Sequence, residues 1–497
     1  MRNQVQLIAY ADRLAGDFAG LSRLLTDDLA GLFGGVHVLP FFTPIDGADA
    51  GFDPDDHTVV DPRLGSWDDV RQLVRNLDVV VDVIVNHVSV RSPQFLDWVA
   101  NGDASPYADM FLTMAAVFPD GATENDLLGL YRPRPGLPFT PVAMADGSRR
   151  LAWTTFSSAQ VDIDVHSAPG RAYLRSVLDR LAEVGAASVR LDAVGYAVKT
   201  SGTSSFMTSH TFDFIDELSG MCRERGVQVL VEVHSYYQSQ IEIARKVDLV
   251  YDFALPPLVL HGLIAGDPHP LHRWLQVRPR NCVTVLDTHD GIGVIDVGVD
   301  PEDSTREGLL TPAQIYDLVE SMHDNSGGTS RLATGAASPN ADFYQVNCTY
   351  YDALARDDDA YLIARALQFF TPGIPQVYYV GLFAGTNDMD LLARTNVGRD
   401  VNRRYYTSEQ VKAEMQRPVV AALRRLIAFR SWHSAFDGEF TATVDGGEIV
   451  MAWRGENESA RLDADLTART ASLSWTENGA QRSVASLLDL PDVLGVR

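Results

Sequence analysis

Cysteine is nearly missing from this 497-residue sequence: Cys222, Cys282 and Cys348 are all it has, scattered and odd in number. That excludes a disulfide framework and a paired-thiol metal knuckle, and predicts buried thiols in a reducing compartment. Long apolar runs are missing too. No stretch approaches the roughly 20 residues a membrane span requires. The opening Met1-Arg2-Asn3-Gln4-Val5-Gln6-Leu7-Ile8 lacks the apolar run and small-residue cleavage site of a signal peptide. Both absences predict a cytoplasmic protein. Basic residues are outnumbered, 41 Lys and Arg against 66 Asp and Glu, for a formal charge of −25. Such acidity repels nucleic acid and anionic lipid, so neither is expected as a partner. Its simplest service is solubility. An anionic substrate would need a local basic pocket.

What is present is the balance of an ordinary soluble enzyme, 46% apolar and 22% charged. Short β-rich runs alternate with amphipathic helical ones. Strands are predicted at Val5–Tyr10, Gly35–Leu39, Val79–Val85, Ala187–Leu191, Val227–Val233, Leu249–Phe253, Val283–Leu286 and Ile374–Tyr379. The nearly continuous apolar run at Val79–Val85 is that of a parallel strand covered on both faces. Helices are predicted at Phe18–Leu29, Ser66–Leu77, Arg171–Val184 and Thr211–Arg225, the second opened by Ser66 and Asp69 in a capping-box-like spacing. Eight strands with intervening helices predict an α/β fold, a (β/α)8 TIM barrel, with a doubly wound open sheet as the competitor. Two interruptions break the repeat. The expected organisation is barrel over 1–86, an inserted domain B over 87–166, barrel over 167–290, a second insertion (B′) over 291–356, and barrel over 357–433. The tail, 434–497, alternates with period two at Phe440–Val444, Ile449–Trp453 and Ala471–Trp475, which predicts a C-terminal antiparallel β domain.

Three acids occupy equivalent places. Asp192, Glu232 and Asp290 each stand at or just past the C-terminal end of a predicted strand, where a barrel carries its chemistry. Burying an ionised group there for packing alone is expensive. The competing reading is that such acids cap the following helices; it weakens when three occur together with His and Arg beside them. Transfer at a sugar acetal needs two carboxyl groups across the scissile bond, one to attack and one to shuttle a proton, about 5–5.5 Å apart in retaining enzymes.

The segments Asp82-Val83-Ile84-Val85-Asn86-His87, Val189-Arg190-Leu191-Asp192-Ala193-Val194, Val231-Glu232-Val233-His234 and Leu286-Asp287-Thr288-His289-Asp290 resemble, in order, the four motifs of the α-amylase superfamily. Gln160-Val161-Asp162-Ile163-Asp164 resembles its additional motif. The resemblance implies Asp192 as nucleophile, Glu232 as general acid/base and Asp290 as the acid that stabilises the oxocarbenium-like transition state. It implies that Arg190 pairs with the nucleophile to keep it ionised. His87 and His289 would bond to glucosyl hydroxyls; outside the motif, His87 would read as a core histidine.

Ala48-Asp49-Ala50-Gly51-Phe52-Asp53-Pro54, Tyr131-Arg132-Pro133-Arg134-Pro135-Gly136-Leu137-Pro138-Phe139, Leu191–Tyr196 and Asp342-Phe343-Tyr344-Gln345-Val346-Asn347 resemble, within that superfamily, the sucrose phosphorylases. Such an enzyme exchanges sucrose and inorganic phosphate for glucose 1-phosphate and fructose with retained configuration. Asp49 and Arg399 would then lock the far side of the glucosyl unit, with Phe52 and Tyr196 as its apolar platform. Arg134, Val233, His234, Asp342, Tyr344 and Gln345 would form the phosphate or fructosyl acceptor site. Arginine suits that task, because its planar fork matches phosphate oxygens; the plainer reading of Arg134 is a loop charge with its stem on proline rings. For Asp49 the plainer reading is a turn residue. Ala341 is small where a bulkier apolar residue is expected, which implies a wider acceptor site. No cofactor and no metal are implied, and the family suggests a homodimer. The alternatives are a phosphorylase for sucrose 6′-phosphate, glucosylglycerol or glucosylglycerate, and a sucrose hydrolase. A non-catalytic binding protein on the same barrel would not need all three acids.

Overall fold

The computed structural model describes residues 1–47, 49–133, 136–300, 303–337 and 345–492. Eight strands close a parallel barrel: β1 (Gln6–Ala9), β2 (Gly35–Val38), β3 (Asp78–Ile84), β4 (Ser188–Asp192), β5 (Gln228–Val231), β6 (Leu249–Asp252), β7 (Cys282–Thr284) and β8 (Ile374–Tyr378). Neighbours in sequence are neighbours in space, and β8 pairs with β1 through Gln6 opposite Gln376. The open-sheet competitor is thereby excluded.

Helices cover the barrel: α1 (Phe18–Thr26), α2 (Trp67–Val74), α3 (Ala168–Val184), α4 (Ser209–Glu224), α5 (Tyr237–Ala244), α6 (Leu255–Ala265), α7 (Asp358–Phe370) and α8 (Pro418–Trp432). Several of these helix ends have a chemical cause. Asp17 caps α1 by accepting from the Gly20 N–H at 2.6 Å. The Ser66–Asp69 pair forms a reciprocal capping box on α2. Helix α3 stops at Gly185, whose φ of 89° lies in the left-handed region where a side chain is strained.

Between β3 and α3 the chain makes a short antiparallel pair, His87–Ser89 with Gln160–Asp162, and a hairpin of Phe139–Ala143 with Arg149–Trp153. Between β7 and α7 it makes a second short pair, Ile292–Gly293 with Gln345–Val346, and the helices Pro312–Asn325 and Thr329–Ala337. The tail is a five-stranded antiparallel meander: β9 (Glu439–Asp445), β10 (Glu448–Arg454), β11 (Ser459–Asp465), β12 (Thr470–Glu477) and β13 (Ala480–Val484). Along β10, Ile449, Met451 and Trp453 are buried while their neighbours are not. Trp453 Nε1 donates to the Phe370 carbonyl at 2.7 Å, tying the meander to α7. Three tail strands are predicted by alternation, and the structure has two more. Alternation in β11 rests on Ala460, Leu462 and Ala464, a weak apolar signal, and β13 is almost wholly exposed.

Candidate active site

Asp192 is the last residue of β4, Glu232 the first beyond β5, and Asp290 lies in the loop after β7. β7 ends at Thr284, earlier than expected, so Asp290 is held by its partners and not by a strand. Ala193 follows Asp192 with φ 54°, an uncommon backbone state for a side-chain-bearing residue; such states cluster where a structure aims a functional group. The three carboxylates are 12–14% exposed, against 3% for Arg190 beneath them, so they face a narrow opening.

Arg190 grips two of them. Its Nη1 lies 3.2 Å from Asp192 Oδ1 and its Nη2 2.5 Å from Glu232 Oε1. Its Nη1 also pairs closely with Asp82 on β3. One guanidinium therefore serves three carboxylates. The expectation that Arg190 keeps Asp192 ionised needs adjustment: burial and the Glu232 charge outweigh it and push Asp192 well above the usual carboxylate range. Asp82 behaves oppositely, since Arg190 and His37 overcome its burial and hold it at about 2. His37 Nε2 lies 2.9 Å from Asp82, Tyr251 OH 3.2 Å from His37 Nδ1, and Tyr251 donates to Gln376 at 3.1 Å. Gln376 in turn donates to Gln6 at 2.8 Å. Side chains from β1, β2, β3, β4, β6 and β8 thus form one buried polar floor under the carboxylates.

Asp290 is treated differently. Arg399 Nη1 reaches its Oδ1 at 2.5 Å, and Arg403 Nη2 lies 3.6 Å away. Burial disfavours its charge, but His289, a cation only in the acid range where Asp290 titrates, together with Arg399 and Arg403, outweighs burial and holds the carboxyl well below the usual range. Burial pushes His289 down to about 3, so its ring is neutral at neutral pH and the arginines supply the charge. Arg399 also reaches Asp49 Oδ1 through Nη2 at 3.0 Å, bridging the loop after β2 to the loop after β8.

The structure brings the remaining glucosyl candidates together. Phe52 stacks on His289 with ring centroids 4.7 Å apart and planes 10° from parallel, and the Arg190 guanidinium carbon lies 5.6 Å from the Phe52 ring centre. His87 donates through Nε2 to the Phe52 carbonyl at 3.0 Å. Tyr196 packs in an aromatic group with Phe156, Phe206 and Tyr131. On the acceptor side Val233 is buried, His234 stacks on Phe253, and Gln345 pairs with Gly293 across the second insertion's ribbon. Arg134, Ala341, Asp342 and Tyr344 lie outside the described residues.

Residues that the motifs alone did not assign include His37, Tyr251, Gln376, Arg403 and Lys199. The signal for the first three is a polar residue inside an otherwise apolar strand, which needs a partner when buried. Lys199, in the loop after β4, buries its side chain, with Nζ 2.7 Å from Asp162 and donating to Asn86 at 2.7 Å. Among the described residues no group of three or more His, Cys, Asp and Glu is arranged to hold a metal ion. No described helix is long and apolar enough to cross a membrane.

Residues 10–246 match the family model described as "Alpha amylase, catalytic domain". A sucrose phosphorylase of Agrobacterium vitis is 57% identical over 476 residues, 95% of this chain and 97% of that one. A sucrose phosphorylase of Bifidobacterium adolescentis is 52% identical over 504 residues, 99% of this chain and 100% of that one. Among solved structures, the sucrose 6F-phosphate phosphorylase from Thermoanaerobacter thermosaccharolyticum superposes with a TM-score of 0.90 at 36% identity, covering 98% of both chains.

Proposed function

The chain belongs to the α-amylase family and, within it, to the sucrose phosphorylases, and from that membership we propose how its residues carry out the reversible phosphorolysis of sucrose to α-D-glucose 1-phosphate and D-fructose. The observation that carries this reading is near full-length identity to two sucrose phosphorylases laid over an intact set of three carboxylates. Asp192 attacks the anomeric carbon of sucrose as Glu232 protonates the departing fructosyl oxygen, giving a covalent β-glucosyl ester. Phosphate then attacks the same carbon from the face fructose left. Glu232 takes up the phosphate proton, the ester bond breaks, and α-D-glucose 1-phosphate leaves with Asp192 regenerated. Asp290, held ionised by two arginines, faces the positive charge that develops on the glucosyl ring.

The two-carboxylate arrangement suits this cycle because Arg190 cannot satisfy both carboxylates and Asp82 at once. Burial and the Glu232 charge push Asp192 above the usual carboxylate range, so the site retains a proton that can be passed to the leaving oxygen. Arg399, joining Asp49 to Asp290, supports a pocket closed beyond one glucosyl unit. Arg134, Tyr344 and His234 are the proposed phosphate ligands, with Val233, Asp342 and Gln345 completing the acceptor site. Phe52, His87, Tyr196 and His289 are the proposed glucosyl contacts. A homodimer working in the cytoplasm, with the domain limits given by the sequence, completes the proposal; three buried, unpaired cysteines fit a reducing compartment.

The test is incubation with sucrose, with and without inorganic phosphate, following glucose 1-phosphate and free glucose. Phosphate-dependent glucose 1-phosphate of α configuration is expected. Free glucose alone would make the protein a sucrose hydrolase, and no reaction with sucrose would shift the donor to another α-glucoside.

A further inference from the structure

His234 follows Glu232 by two residues, and its surroundings are built with unusual care for a surface ligand. Its Nδ1 lies 3.0 Å from Asp296 Oδ2. Asp296 belongs to the second insertion, in the short 3-10 turn Ile295–Val297, and is fully buried. The other oxygen of Asp296 accepts from the Ser235 backbone N–H at 3.1 Å and from Gln240 Nε2 on α5 at 2.9 Å. Its carboxylate is therefore fixed in orientation from three directions. The His234 ring is fixed as well, lying on Phe253 with centroids 3.9 Å apart and planes 16° from parallel. Gly293 closes over the pair: a Cβ there would fall 2.8 Å from Asp296 Oδ2 and 3.2 Å from His234 Nδ1, which no side chain tolerates. Because Gly293 pairs with Gln345, the contact joins the loop that carries Glu232 to the ribbon that carries an acceptor residue.

We infer that Asp296 is a positioning residue for phosphate: by accepting a hydrogen bond from the Nδ1–H of His234 it keeps that ring an imidazolium, whose Nε2–H then donates to the phosphate dianion. This rests on the reading of the protein as a phosphorylase. The chemistry is asymmetric between the two acceptors. A neutral His234 with its proton on Nδ1 would present a bare nitrogen lone pair, which a phosphate oxygen avoids. A fructosyl hydroxyl can donate or accept and so tolerates either state. Asp296 would thus separate phosphate from fructose at a shared site. Among the described residues, the charged groups acting on His234 are acidic: Asp296 from the insertion, Glu232 on its own loop and Asp290 beyond β7; Phe253, beyond β6, is neutral. Burial works against the cation, yet these acids prevail and raise His234 above its ordinary value, so its charge persists to higher pH and is lost only as pH rises past that raised value.

The test measures KM for phosphate and KM for sucrose separately across pH in the wild type and in Asp296→Asn. At about pH 7.5 the phosphate KM should rise about tenfold while the sucrose KM moves by less than about twofold. Toward about pH 5.5, where His234 regains its proton, the ratio of variant to wild type should shrink. Comparing the two proteins at each pH cancels the titration of phosphate itself. In a His234→Gln background the Asn substitution should add nothing to the phosphate KM. Equal rises in both KM values, or additive effects of the two substitutions, overturn the assignment. If Asp296→Asn does not fold, the wild-type ring decides, its NMR signal assigned by its loss in His234→Gln. An imidazolium at about pH 7.5 supports the assignment, and a neutral ring overturns it. A wild type that yields only free glucose at every phosphate concentration would instead sink the phosphorylase reading.

Discussion

Replacing Arg399 with Met should move the acid limb of the pH–rate profile upward. In the wild type Asp290 is ionised throughout the working range, because the cations around it outweigh burial. Arg399 is the nearest of them, at 2.5 Å, and Arg403 is a further ångström away with no hydrogen bond to the carboxylate. His289 is neutral and cannot replace the lost charge. Without Arg399 the burial cost of the Asp290 anion is opposed mainly by Arg403, so its pKa rises. Breaking one side of a buried pair costs about 3–5 kcal/mol, which corresponds to roughly two to nearly four powers of ten in kcat/KM if the whole cost falls on the ionised state the reaction needs. The sign follows from the depressed carboxylate: activity that needs the anion is present above its pKa and is lost as pH falls through it, so a raised pKa brings that loss closer to neutrality. The assay is the initial rate of glucose 1-phosphate formation across pH for wild type, Arg399→Met and Arg399→Lys. Lysine keeps the charge but cannot bridge Asp49 and Asp290 together, so it should restore the acid limb and leave sucrose binding weakened. An acid limb that stays in place in Arg399→Met refutes the reasoning, whatever the fall in rate.

Three further outcomes are expected. Asp192→Asn removes the attacking oxygen anion and should lower kcat on the order of 10⁵-fold with little change in thermal midpoint, checked by single-turnover release of fructose. Ala341→Leu should lower the ratio of transfer to bulky acceptors over phosphorolysis, read by product chromatography; an unchanged ratio removes Ala341 as the reason for a wider site. Lys199→Met leaves Asp162 buried without its cation and should cost about 3–5 kcal/mol of stability in a urea melt. Calcium should not restore it, and a chelator should leave the wild-type melt unchanged; calcium-dependent recovery would show that a metal belongs there.

The barrel was legible because a parallel strand buried on both faces writes itself as a run such as Val79–Val85, and β3, Asp78–Ile84, is that run shifted by one residue. The carboxylates were legible because each stands at or just past the end of such a run. The partners that govern them were not. Arg403, His37 and Tyr251 come from the loop after β8, from β2 and from β6, and nothing in linear spacing links them. Asp82 is visible as an acid inside an apolar run, yet only the fold shows that it competes with Asp192 for one guanidinium. The two unpredicted tail strands fail for opposite reasons: β11 hides its inward face behind alanines, and β13 has almost no inward face to read.

The distribution of arginines explains why three carboxylates so close together can do different work. Arg190 is shared among Asp82, Asp192 and Glu232, and Asp82 holds its share permanently because it stays ionised at about 2. Burial and the Glu232 charge push Asp192 above the usual carboxylate range, so on the proposed mechanism this half of the site retains a proton that can pass to a leaving oxygen and return from an incoming acceptor. Arg399 and Arg403 converge on Asp290, so that half has positive charge to spare and keeps a fixed anion. A retaining double displacement needs both conditions at once, a mobile proton on one side of the glucosyl carbon and an unmoving negative charge beside the ring. On the proposed mechanism Asp82 touches no sugar; its charge beside Arg190 adds to the burial and the Glu232 charge that raise Asp192.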